Sequence, residues 1–510
     1  RDFNDTEQGI WLTESAWHRG WEFNDFVYDR FNAFRQSQAR NAVLMHLNAE
    51  AMGIPRSRIY DFYLVEHGYN EFYLVSYTNP TAPAISIQVM NECLRDAKFV
   101  EEFPLPGKGH HFQLYRDDAR TLAAVFTSDE PAEMTVLTDA GEVTVTDMMG
   151  NRKTVKPAGG RLRLTVTGDP TYLAVGAKQS LAPSYEGISV QPNLALATLG
   201  AKGFGSSGTD AKEGEPPQPQ NLALSGDWTC YTIGPISGWR LGWSEAASHK
   251  NKFPDWYEVQ LPAEAPIARV RIYGDYGAWE QILRDYDLQV SVNDQWRTVE
   301  QVRDNLYRYV LDHSFEPITS RRVRVLIHKM NACLFQSDDA WLARQSGLRA
   351  VEVYGPPAGP ARAFFVAEIP KRRVLEPGGS TELRFEIRNI LKTKLSGEVR
   401  LRLPEGIAAE PSARTINIPP DGEAVCSFRV SVRDKLADGA YTVLAGLYDG
   451  EALVSADYAA RVLCVKTPPP PPKPPEKNDQ RKEETKRTKP NKQKKDEKLE
   501  DDELLQEMGK

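Results

Sequence analysis

The chain has 510 residues, 41% hydrophobic and 26% charged, which is material for about three or four domains at roughly 100–200 residues each. Its 63 Lys and Arg stand against 70 Asp and Glu, a net charge of −7 that argues against a general nucleic-acid binder. No stretch approaches the roughly 18 uninterrupted apolar residues of a membrane helix, so no transmembrane segment is expected.

The first residue is Arg1 and no signal pattern follows, so the chain reads as a mature product or a piece of something longer. Cys93, Cys230, Cys333, Cys426 and Cys464 are scattered, with no metal-binding spacing. A Cys230–Cys333 or Cys426–Cys464 bridge and buried free thiols both remain open. No metal site is expected from them.

Residues 1–105 mix strand and helix patterns. An apolar run at 10–12 precedes a helical pattern over 24–52, stopped by Gly53 and Pro55. Strand runs follow at 59–65 and 72–77, then a second helical pattern over 84–99. Strand, helix, strand, helix predicts a parallel sheet with covering helices.

The period drops to two over 106–180. Short strands are predicted at 112–115, 121–126, 134–137, 143–146, 162–166 and 172–175, with Gly-containing turns between them. Residues 181–192 read as a linker. Residues 193–356 hold seven of the ten tryptophans, so aromatic chemistry concentrates there. Strands are predicted at 193–196, 254–261, 268–273, 286–292, 296–299, 321–327 and 347–355. Trp256 and Trp296 lie on strands and are expected in the core. Residues 361–465 form a third β unit, of a size and strand spacing that fit an immunoglobulin-like sandwich. Residues 466–510 begin with a Pro-rich run and continue as charged, polar sequence, which cannot support a core. The predicted class is a mainly β multidomain protein with a partial α/β barrel, a β-sandwich, a jelly-roll, an immunoglobulin-like sandwich and a disordered tail.

The run Trp11-Leu12-Thr13-Glu14-Ser15-Ala16-Trp17 puts a Thr-Glu pair at a strand end between tryptophans. With the helix, strand and helix after it, this segment resembles the last quarter of a clan of retaining TIM-barrel glycoside hydrolases that includes β-xylosidases and α-L-iduronidases. The resemblance extends over residues 1–180, with Asp147-Met148-Met149-Gly150-Asn151 and Gly168-Asp169-Pro170-Thr171-Tyr172-Leu173 in the appended sandwich. It implies that Glu14 is the nucleophile and that Trp11 and Trp17 contact sugar. The clan's acid/base follows its fourth strand, upstream of anything here, and Asn70-Glu71 lies beyond the eighth strand, where that pair does not belong. Two carboxylates about 5–5.5 Å apart are needed for the chemistry, so this chain alone is not expected to hydrolyse glycosides.

The segments 254–261, 268–273, 286–299, 321–327 and 347–355 resemble, in order, the discoidin or factor 5/8 type C domain, a jelly-roll found in many carbohydrate-binding modules. The resemblance implies ligand binding by loops at one end. Trp239, Trp243, Trp279 and Trp341 are the candidates for stacking on a pyranose, with Arg240 and His249 as polar partners. The family's Asp-Gly beside a calcium site stands here as Ser225-Gly226-Asp227, a departure that sets calcium in doubt; no other cofactor is expected. Residues 361–465 resemble the immunoglobulin-like domains of such proteins and read as a spacer. The expected partner is a polysaccharide or glycan, and the expected location is extracellular or at the cell surface. A non-catalytic adhesion protein that binds protein or lipid through the same domain is the competing reading.

Overall fold

The structure, a computed structural model, describes residues 28–54, 82–106, 109–127, 131–207, 223–226, 242–244, 253–274, 283–305, 310–330, 346–366 and 373–467, with strand pieces at 11–12, 56–57, 75–76 and 79–80. Helix α1 spans Tyr28–Ala51. It ends as its sequence demands: Gly53 takes φ +68°, and the Gly53 and Ile54 amides donate to the Glu50 and Ala49 carbonyls. Trp11–Leu12 pairs in parallel with Arg56–Ser57, so α1 is the crossover of one βαβ unit. The expected strand at 59–65 lies outside the described residues. Val75–Ser76 pairs antiparallel with Asn79–Pro80, and the rest of the expected strand at 72–77 lies outside the described residues.

Helix α2 spans Ala82–Leu94 and stops five residues short of the predicted end. Asp96 adopts φ +64°, and Lys98–Glu102 becomes a strand paired with His110–Arg116. No Gly or Pro marks this break, so the apolar pattern runs through it unchanged. Among the described residues there is no α/β barrel. Instead of covering a barrel, α1 and α2 pack on the next domain.

That domain is a sandwich of a six-stranded and a three-stranded sheet. Six of its strands fall where the alternation predicts; Arg152–Val155 is a seventh, hidden by its polar sequence. The strand Arg120–Thr127 explains the packing. Ala123 and Val125 face the sandwich core with Phe112 and Leu114. Leu122, Ala124 and Phe126 face α1 and α2, against Val43, Leu47, Val89 and Met90. A strand buried on both faces needs consecutive apolar residues, and the run from Leu122 to Phe126 supplies them. Each fully buried aliphatic or aromatic side chain contributes roughly 1.5–3 kcal/mol.

The jelly-roll's sheet runs in the order Trp243–Ser244, Gly347–Tyr354, Asp255–Gly274, Val310–Met330, Leu283–Val292 and Gln295–Val302, with Lys202–Gly205 also on Asp255–Gly274. The predicted strands 254–261 and 268–273 are two ends of one strand, Asp255–Gly274. Register shifts at Gln260/Ala265 and Ile267/Arg269 let the long pair bend around the core. Tyr257, Val259 and Leu261 point inward with Val323, Val325, Leu288 and Val290. Trp256 and Trp296 therefore do not join the core. Trp256 alternates outward with Glu258 and Gln260, and Trp296 lies beneath the guanidinium groups of Arg322 and Arg324, 4.9 and 4.2 Å from its ring centre.

The last β unit is a sandwich of a four-stranded and a six-stranded sheet around Phe385, Phe428, Val399, Leu447 and Leu463. It is bonded to the jelly-roll rather than spaced from it. Thr198 Oγ1 donates to the Thr442 carbonyl at 2.6 Å, and Thr442 Oγ1 donates to the Ser225 carbonyl at 2.8 Å. The Asn193 amide donates to Asp457 Oδ1 at 2.9 Å. Gly226, at φ +74°, allows this approach: a Cβ there would sit 2.9 Å from that of Ala460. Thr467–Lys510 is a separate unit that lies, apart from Thr467, outside the described residues.

Cys93, Cys426 and Cys464 are buried and carry no disulfide. Burial pushes the Cys93 and Cys426 thiols up, away from the reactive thiolate. A thiol-reactive dye should therefore label no more than two of the five cysteines in the native chain, and all five after denaturation in reductant. Counting the released chromophore checks it.

Candidate functional site

At one pole of the jelly-roll, Gly274 and Trp243 both lie opposite Leu348, and Leu283 lies opposite Met330. Asn305 Nδ2 donates to the Leu283 carbonyl at 2.8 Å. Asp255 joins two further segments, accepting from Ser206 Oγ at 2.9 Å and from Ser346 Oγ at 2.7 Å. These residues flank segments 208–222, 245–252, 275–282, 306–309 and 331–345. The described anchors of five connections thus gather at one end of the domain.

Salt bridges fix that end. Arg284 grips Asp304 through Nε and Nη2 at 3.0 and 2.8 Å, and the Asp304 amide donates to Asp285 Oδ1 at 2.7 Å. Asp287 holds Arg303 at 2.6 Å and His328 at 3.0 Å. Burial alone would raise the Asp287 carboxyl; hydrogen bonds from Arg303 and His328 outweigh it and hold the carboxyl below its ordinary range. No sequence motif marks these pairs, because they join residues from different strands.

The predicted site residues divide. Glu14, Trp17, Trp239, Arg240, His249, Trp279 and Trp341 lie outside the described residues, and Trp11 is placed by its backbone alone, on the parallel pair. Trp243 is 2% exposed, so its ring has no face open to a sugar. It packs on Tyr257, and its Nε1 donates to the Ser207 carbonyl at 3.0 Å. Its strand position against Leu348 turns it inward, beneath the end whose loops it was expected to join. Ser225 and Gly226 sit at the domain joint, while Asp227 lies outside the described residues. Among the described residues, no group of three or more His, Cys, Asp or Glu is placed to hold a metal ion. Among them, too, no helix is long and apolar enough to cross a membrane.

The joint with the C-terminal sandwich lies along the row of the Asp255–Gly274 and Gly347–Tyr354 strands that alternates with their core-facing residues. Asp312, Arg271 and Glu352 sit in one cross-strand row. Asp312 accepts from Arg269 Nε at 2.7 Å and from Arg271 Nε and Nη2 at 2.9 and 2.7 Å. Glu352 Oε2 accepts from the Tyr273 and Tyr354 hydroxyls at 3.0 and 2.8 Å. Arg269, Arg271, Glu352 and Tyr354 line a cleft of about 450 Å3 beside Asp457, Tyr458 and Arg461. Its charges are already paired, which suits a joint.

The family model of the NedA-like, galactose-binding F5/8 type C domain matches residues 241–325. The region around residues 241–330 is an F5/8 type C domain. The matched span runs from the buried Trp243 strand to the centre of the Val310–Met330 strand. Similar solved structures include the family 32 carbohydrate-binding module of Clostridium perfringens NanJ in complex with galactose, at 12% identity. They also include a chitosan-binding module from a Paenibacillus sp. IK-5 chitosanase/glucanase, at 22%, and the Streptococcus pneumoniae fucose-binding module SpX-3, at 21%. Each has a TM-score of 0.24 and covers 32% of this chain; the likeness spans 99%, 99% and 96% of those chains respectively. Likeness at this level is too low to carry function across. No curated protein matches the chain. No glycoside hydrolase catalytic domain is found among these matches.

Proposed function

We propose that this chain binds glycan through the loop end of its F5/8 type C domain. The observation that carries the reading is the gathering of five connections at one pole, in a domain matched by a galactose-binding family model. Trp239, Trp279 and Trp341, with Arg240 and His249, fall in segments bounded by that pole's described residues or by the joint residues 223–226. A tryptophan face suits the apolar face of a pyranose, and a guanidinium or imidazole beside it orients the hydroxyls.

The wider reading is that the chain is the binding portion of a multimodular retaining glycoside hydrolase working outside the cell. Glu14 would be its nucleophile and Trp11 and Trp17 would contact sugar. Support comes from the motif at 11–17 and from the parallel pairing of Trp11–Leu12 with Arg56–Ser57 across α1, the connection from which barrels are built. Hydrolysis would still need strands that this chain does not contain.

The test is glycan-array binding of the whole chain beside Trp239→Ala and Trp279→Ala. A stacking tryptophan at the centre of a site is worth about 2 kcal/mol or more, so each variant should lose roughly 30-fold in affinity. A folded chain that binds no glycan would overturn the reading in favour of adhesion to protein or lipid.

A further inference from the structure

The outer face of the jelly-roll sheet carries a groove of about 710 Å3. This falls within the range of about 300–1,000 Å3 typical of small-ligand sites. The groove crosses four neighbouring strands, from Lys202–Gly205 over Asp255–Gly274 and Val310–Met330 to the end of Leu283–Val292. At about 4.8 Å between strands, that is a span of roughly 14 Å.

Its chemistry is specific. Phe204 is 38% exposed, and it is the only aromatic among the large hydrophobic residues exposed in the described parts of the chain. It lies directly opposite Glu258 in the register, so its ring shares a face with Glu258 and, one step along the strand either way, with Trp256 and Gln260. The floor is preset: Arg322 Nε and Nη2 grip the two oxygens of Glu258 at 2.6 and 3.0 Å. At the far end Asn293 and Asp294, at φ +50° and +60°, form the exposed turn that closes the groove.

We infer that this groove is a second glycan site, taking an unbranched, uncharged oligosaccharide across the strands. Two aromatic side chains supply a stacking wall. Glu258, Gln260, Arg322 and Asn293 supply hydrogen-bonding groups for hydroxyls, and the ion pair fixes the first and third of these before any ligand arrives. Arg321 and Arg322 are set against Glu258, Glu264 and Asp294, a slight negative excess that disfavours a polyanion. The lining is too polar for a lipid or an apolar peptide. The ligand class rests on the glycan-binding reading above, but the residues are different and lie on a sheet rather than on loops.

Chain length separates the two sites. A loop pocket that recognises one sugar gains little from a longer ligand, whereas a groove spanning several rings gains much. Calorimetric titration of the whole chain with galactose and β-1,4-galactohexaose, and with xylose and xylohexaose, should show at least one hexasaccharide bound tenfold or more tighter than its monosaccharide. Phe204→Ala and Gln260→Ala, both at partly exposed positions, should each remove that gain without changing the melting temperature. Trp239→Ala should leave the gain in place. No length dependence, or a gain that survives both groove substitutions, would overturn the inference while leaving monosaccharide binding at the loop end intact. A gain lost on Phe204→Ala, in a chain indifferent to Trp239→Ala, would uphold the groove and sink the loop reading. No binding of any sugar would overturn both.

Discussion

Asp312→Ala is expected to destabilise the folded chain by about 3–5 kcal/mol, the usual cost of removing one partner from a buried charge cluster. Asp312 is the shared counter-charge of Arg269 and Arg271, whose side chains are 28% and 9% exposed. Without it two guanidinium groups face each other across adjacent positions of one strand face. Asp312→Asn keeps the shape and some hydrogen bonds but not the charge, so it should recover only part of the loss. Removing all three charges together with apolar residues should cost less than removing Asp312 alone, because no uncompensated charge then stays buried. Urea melts of the four proteins check this ordering. A loss under 1 kcal/mol for Asp312→Ala would mean that the cluster is solvated and does not brace the joint.

The same residue sets a pH dependence. Burial alone would raise the Asp312 carboxyl, but hydrogen bonding from Arg269 and the charges of Arg271 and Arg269 outweigh it and hold the carboxyl below its ordinary range. Its folded value is depressed, so on acidification the unfolded chain takes up this proton first. The stabilisation is therefore complete above the unfolded value of about 3.9 and is lost as pH falls through the lower folded value. The gap between the native chain and Asp312→Ala should be constant from pH 7 to about 5 and narrow below about 4.

How far the sequence disclosed these features depends on the distance over which each is encoded. Alternation at 257, 259 and 261 is local, and it correctly separates an inward from an outward row. The expectation for Trp256 failed because a place on a strand does not say which face a residue takes, and Trp256 falls in the outward row with Glu258 and Gln260. The end of α2 was misplaced because Asp96 makes the left-handed turn that a Gly usually marks. The paired row Asp312, Arg271 and Glu352 comes from three strands and has no sequence spacing to read. The bonded joint is equally non-local, since Thr198 and Thr442 are 244 residues apart. The concentration of tryptophans did point to the domain that the family model matches, yet it could not single out Trp243 as the one packed on Tyr257.

Gly205→Ala should show what that packed tryptophan does. A Cβ at position 205 would lie 2.0 Å from Trp243 Nε1 and 2.6 Å from Cε2, closer than any real contact. The indole cannot simply swing away, because it is 2% exposed, packs on Tyr257 and donates to the Ser207 carbonyl. Either the Lys202–Gly205 strand lifts from Asp255–Gly274, or the ring shifts and gives up its hydrogen bond. Overpacking costs about 1–3 kcal/mol and the lost bond about 0.5–1.5 more. Melting should reveal a loss of roughly 2–4 kcal/mol on these terms. Phe204→Ala, one residue away but on the outer face, should leave stability nearly unchanged. Ser206 and Ser207 follow Gly205 directly, and Ser206 shares Asp255 with Ser346, so the displaced strand would disturb anchors of three connections at once. Glycan affinity at the loop end should therefore fall in Gly205→Ala even at temperatures where the chain stays folded. If stability fell while affinity held, Trp243 would be a core residue with no part in shaping the site above it.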